Sequence, residues 1–109
     1  MIAAKRARDR MGVELPILVN VTVETTGTML LGSEIGAALT TLEALGVDCI
    51  GLNCATGPAE MSEHLRHLSR RAGVAIGVMP NAGLPELTAD GARYPLGPEG
   101  LADALGGYV

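Results

Sequence analysis

The chain has 109 residues, 48% of them hydrophobic, with no Trp or Phe and two Tyr. Its core therefore has to come from aliphatic side chains, as in helices packed on a parallel sheet, and not from the aromatics of a β sandwich. A net charge of −4 and a pI near 5.0 give no electrostatic case for nucleic acid or an anionic membrane surface.

Residues 3–12, AAKRARDRMG, predict a helix stopped by Gly12. Its basic cluster Lys5, Arg6, Arg8 and Arg10, with Asp9 inside it, reads as a solvated face. LPILVNVTV (15–23) is apolar apart from Asn20 and Thr22 and predicts a parallel strand covered on both faces. TGTMLLG (26–32) is a connecting loop or a lining of a site. Ser33 caps a helix with a stripe of Ile35, Ala38, Leu39, Leu42 and Leu45, ending at Gly46. VDCIGLN (47–53) is the second strand. Pro58 opens a helix whose buried stripe is Met61, Leu65, Leu68 and Ala72, ending at Gly73. VAIGVM (74–79) is the third strand. A polar, Pro- and Gly-rich stretch runs from Asn81 to Gly97, and a last helix starts near Pro98.

Strand starts fall roughly 30 residues apart, the length of a βαβ unit, so the fold class is α/β with a parallel sheet. Three parallel strands leave two open edges, and a (β/α)8 barrel needs about 250 residues. The expected architecture is a slice of a barrel or of an open doubly wound sheet. No apolar run approaches the ~18 residues of a membrane span. MIAAKRARDR lacks the apolar segment of a secretory signal. The expectation is a cytoplasmic protein with no membrane or nucleic-acid partner.

In parallel α/β folds chemistry sits at the C-terminal strand ends. Those ends read Thr22-Val23-Glu24, Asn53-Cys54 and Pro80-Asn81. Cys54 lies just before a helix N-terminus, which favours a thiolate. On position alone it is either a small buried hydrophobe or a metal ligand or nucleophile. Cys49 lies in the opposite strand phase and reads as a buried small hydrophobe. The two thiols, five residues apart on one strand, cannot pair without distortion. His64 and His67 share a helix face away from the strand ends, without a zinc-binding motif. Glu60 and Glu63 read as first-turn acids that complement the helix dipole. PNAGLP (80–85) is a turn, with Asn81 at the mouth and Gly83 allowing close approach.

VTVETTGTMLLGSEIGAAL, GLNCATGPAEM, PNAGLPELTADG and YPLGPEGLADAL, in this order, resemble the homocysteine-binding (homocysteine S-methyltransferase) domain of cobalamin-dependent methionine synthases. The resemblance covers essentially the whole chain. It implies a (β/α)8 TIM barrel, of which residues 1–109 would be a fragment holding the fifth to seventh strands. The first strands and the last strand would be missing. It implies a zinc ion held by three cysteines, one of them in a motif that Gly51-Leu52-Asn53-Cys54 matches. The other two belong to an adjacent pair on the last strand, which this sequence lacks.

The resemblance further implies Asn81 as an auxiliary zinc ligand and Thr22, Glu24 and Asn53 as substrate-pocket groups. The implied activity is transfer of a methyl group to homocysteine, giving methionine. Cobalamin and methyltetrahydrofolate would act through other domains of the full-length enzyme. One thiol and one amide do not make a zinc site, so the fragment alone is expected to be inactive. The alternative is a non-catalytic partial barrel that acts by self-association through its open strand edges, or by complementing another chain.

Overall fold

The computed structural model describes residues 1–24, 34–53 and 56–109. In chain order these form helix α1 (Ile2–Met11), strand β1 (Leu18–Val21), helix α2 (Ile35–Ala44) and strand β2 (Cys49–Asn53). Helix α3 (Pro58–Arg71), strand β3 (Ala75–Met79), strands β4 (Glu86–Thr88) and β5 (Gly91–Arg93), and helix α4 (Pro98–Gly106) follow. Strands β1, β2 and β3 pair in parallel in that order, with Val19, Ile50 and Ile76 in register. The expected α/β slice of a barrel is present, and among the described residues the sheet does not close.

Side-chain alternation divides the sheet into two unlike faces. On one, Val21, Val23, Ile50 and Leu52 pack against Ile35 and Leu39 of α2 and Met61 and Leu68 of α3. Ile50, Leu52 and Leu68 are fully buried. The opposite face is exposed at Leu18, Asn20, Ala75 and Met79, with Leu18 and Met79 each 62% exposed. This corrects the expectation of strands covered on both faces: α2 and α3 pack on one face only. On the open face the Asn20 side chain lies across Gly51, where a Cβ would sit 1.9 Å from Asn20 Oδ1.

Helix α1 buries no residue and is held by polar ties. Lys5 Nζ donates to the Leu45 carbonyl at the end of α2 (2.8 Å), and Arg8 Nη1 donates to the Leu15 carbonyl (3.2 Å). Two of the four basic residues read as a solvated face are thus anchors. Their long apolar stems let the charged heads reach backbone carbonyls on neighbouring elements. Gly12, with a φ of 64°, closes α1 in the left-handed conformation expected of it.

Helix α3 instead ends in extended backbone at Ala72, and Glu43 Oε1 accepts the Gly73 N–H at 2.6 Å. Gly73 therefore serves as an anchor point and not as a left-handed stop. The expected Ser33 cap lies outside the described residues. The stretch read as polar loop contains the antiparallel β4–β5 hairpin, all six of whose strand residues are exposed. With Leu87 its one large aliphatic residue, the hairpin carries no alternating apolar pattern. No helix among the described residues is long and apolar enough to cross a membrane.

Truncation of Leu68 to Ala is expected to destabilise the fold by about 2–5 kcal/mol, because a buried cavity replaces its packing. Leu87→Ala, at a residue 93% exposed, is expected to stay within about 0.5 kcal/mol of wild type. Denaturant titration of both variants checks the contrast.

Candidate functional site

Parallel strands deliver their C-terminal ends to one edge of the sheet. At that edge β1 runs on into Thr22–Glu24, β2 ends at Asn53, and β3 runs on into Pro80–Asn81. Val23 stays in the core while Thr22 and Glu24 are exposed, so the alternation of β1 persists past its paired residues. Asn53 is half-buried and pairs with Met79. The register, in which Val21 faces Leu52, carries Thr22 to the level of Asn53. Asn81 is half-buried, two residues beyond Met79. The structure thus brings Thr22, Asn53 and Asn81 to one edge, with Glu24 further along β1. Cys54 and the 26–32 loop lie outside the described residues.

The backbone on both sides of residues 54–55 is closely tied. Before them, Asn53 belongs to the β2–β3 ladder. After them, the carbonyl of buried Thr56 accepts the Asn81 N–H at 3.1 Å. The Gly57 N–H donates to Glu60 Oε2 at 3.0 Å, so Glu60 caps α3 directly in addition to complementing its dipole. Gly57 and Gly83 approach so closely that a Cβ on Gly57 would lie 2.6 Å from Gly83 Cα. Gly83 itself has a φ of 92°, and a Cβ there would meet Pro95 Cγ at 2.6 Å. Its N–H donates to the Asn81 carbonyl (2.8 Å), and the Leu96 N–H donates to the Ala82 carbonyl (2.9 Å). These bonds fix the turn that carries Asn81.

Cys49 starts β2 and so lies at the far end of that strand from Asn53, about 13 Å away at strand rise. It is half-buried, with Sγ next to Gly77, where a buried small hydrophobe was expected. His64 and His67 sit in the middle of α3, and the His67 ring packs over Gly36 of α2. Among the described residues no group of three or more His, Cys, Asp or Glu comes together to hold a metal ion.

One contact of this region has no mark in the local sequence pattern. Tyr108, just past α4, donates its hydroxyl to the carbonyl of Pro58 in the first turn of α3. The partners are 50 residues apart, and no periodicity links them. Asn20 and Thr22 did carry a signal: they are the polar interruptions of an apolar strand, in one phase, and they mark its uncovered face.

Gly57→Ala is expected to cost about 1–3 kcal/mol, since backbone has to move on both sides of the contact. Gly106→Ala, where a Cβ meets nothing within 4 Å, is expected to be neutral or mildly stabilising. Thermal unfolding of the pair checks this.

The sequence matches the homocysteine S-methyltransferase family over residues 1–109. It is 67% identical to the methionine synthase of Mycobacterium tuberculosis (strain ATCC 25618 / H37Rv) over all 109 residues. Against the methionine synthase of Mycobacterium leprae (strain TN) the identity is 65% over the same span. In both comparisons the chain spans 9% of the relative's length. With every residue inside the match and the strand-end motifs at one sheet edge, the chain belongs to the homocysteine S-methyltransferase family.

Proposed function

We propose that residues 1–109 supply middle-to-late β/α units of a zinc-dependent homocysteine S-methyltransferase domain within a methionine synthase. The observation that supports this reading most is the joining of two neighbouring strand ends through Asn81 and Thr56, in a chain of this family. Cys54 is the proposed thiolate donor to zinc, and Asn81 the proposed neutral oxygen donor. Zinc takes four donors in tetrahedral array. One thiol and one carboxamide fit part of such a centre, so the remaining donors come from outside these 109 residues. The chain by itself is accordingly inactive.

When bound, zinc supplies the positive charge that keeps a thiol deprotonated at neutral pH. The chain's own residues hold and orient. Asn53 and Thr22 present hydrogen-bonding groups on the open face, and Glu24 lies at the rim. The homocysteine sulfur forms a bond to the methyl carbon as the bond from methyl to its donor breaks, and the thiol proton leaves to solvent. The donor is methylcobalamin, recharged from methyltetrahydrofolate, and both are carried by other domains of the same cytoplasmic protein.

The open edges of β1 and β3 motivate a second reading, in which the isolated chain acts only by associating with itself or with a complementary chain. Sedimentation of the isolated chain separates the two, since a stable monomer overturns this second reading.

Cys54→Ser in the full-length protein is expected to remove zinc and to lower homocysteine methylation by at least about 100-fold. Retained zinc and activity would sink the assignment. Asn81→Ala is expected to weaken zinc retention by about tenfold, as loss of a supporting group does. Metal analysis after timed chelation reads both.

A further inference from the structure

The open face of the sheet changes character in steps along its strands. In register, Leu18, Cys49 and Ala75 form the row farthest from the strand-end edge, and Asn20, Gly51 and Gly77 form the next. Above them Asn53 pairs with Met79, at the level of Thr22. Successive rows on one face lie about 6.6 Å apart. The middle row crosses three strands with one side chain, that of Asn20. Its carboxamide lies across β2: a Cβ on Gly51 would sit 1.9 Å from Asn20 Oδ1 and 3.0 Å from Cγ. Glycine inside a regular strand often marks the close approach of another group, and at Gly51 that group is Asn20. Around Gly77 the nearest atom to an added Cβ is Cys49 Sγ, at an ordinary contact distance of 3.7 Å. Beyond Asn20, the row of Leu18, Cys49 and Ala75 offers no amide, hydroxyl or charge.

We propose that Asn20 is a specificity-determining residue: its carboxamide, laid over Gly51, is the floor of the strand-end site and sets how far a substrate reaches along the open face. This rests on the reading that homocysteine binds at this edge. Thr22 and Asn53 stand one row above the floor, so a substrate held against them meets the carboxamide next. Asn20 limits its length by volume and meets it with a hydrogen-bonding group. With residue 20 cut back to alanine, the middle row is close to bare backbone and leaves room for a longer chain.

The test compares kcat/KM of the full-length protein for homocysteine and for 2-amino-5-sulfanylpentanoic acid, the homologue longer by one methylene. A pocket discriminates one methylene by roughly 10–200-fold, so Asn20→Ala is expected to lower the preference for homocysteine about tenfold. General loosening or metal loss slows both substrates and leaves the ratio unchanged. Adding Gly51→Ala to Asn20→Ala puts a Cβ into the vacated space and is expected to return the ratio toward wild type. A wild-type ratio in Asn20→Ala, or a double variant no different from Asn20→Ala, overturns the proposal. Should Asn20→Ala fail to fold, Asn20→Ser carries the same comparison. Asn53→Ala, one row above, is expected to raise KM for both thiols. If Asn53→Ala and Thr22→Val both keep the wild-type KM, homocysteine does not bind at this edge and the inference falls with that reading. If Asn53→Ala raises KM while Asn20→Ala keeps the wild-type ratio, the reading stands and the inference alone falls.

Discussion

Gly57 and Gly83 let two stretches of backbone meet with no side chain between them, one entering α3 and the other leaving β3. Any Cβ at either position would drive atoms to within 2.6 Å, well inside van der Waals contact. Because the strands lie only about 4.8 Å apart, their outgoing loops have to diverge or interlock, and here they interlock. The bond from Asn81 to the Thr56 carbonyl exists because the glycines allow that distance. The cap by Glu60 and the hydrogen bond that Tyr108 donates to the Pro58 carbonyl then stabilise a helix start already placed by the contact. The order of dependence runs from backbone approach, to hydrogen bonds, to the location of the polar side chains.

The sheet shows a second constraint. One face is a continuous aliphatic surface, buried against α2 and α3. The other pairs Gly51 with Gly77 beside Asn20, and its small residues leave room for the Asn20 amide. A helix-facing surface needs volume to fill, whereas a surface turned toward a barrel axis is shaped by what the opposite strands bring. The exposure of Leu18 and Met79 is the expected state of such a surface when only three strands are present.

Magnitudes separate what holds the fold from what adjusts it. Burial of Leu68, Ile50 and Leu52 is worth a few kcal/mol each. The ion pair between Arg8 and Asp48, at 3.8 Å and half exposed, contributes at most about 1 kcal/mol. Between these lie the charged groups that receive backbone N–H donors at joints: Asp48 from Ile17 (2.7 Å) and Glu43 from Gly73 (2.6 Å). Such charge-assisted bonds are stronger than neutral ones, and they tie strand starts to neighbouring elements.

The sequence by itself determined the order of the first three helices and strands, since aliphatic stripes at helical spacing and β-branched runs of strand length are local properties. It also marked the strand-end groups Thr22, Glu24, Asn53 and Asn81, and the turn at Gly83. Asn20 and Thr22, in one phase of β1, marked the sheet face that stays open, whereas residues 49–52 of β2, small or aliphatic on both faces, carried no such mark. The sequence missed the β4–β5 hairpin, whose exposed residues carry no apolar alternation. Gly73 and Lys5 were misjudged for one reason: their roles come from partners 30 and 40 positions away, the Glu43 carboxylate and the Leu45 carbonyl. The tertiary structure alone decided that Gly57 meets Gly83 and that Tyr108 reaches Pro58. Both contacts close over long loops, and no pattern within a single element records where another will dock.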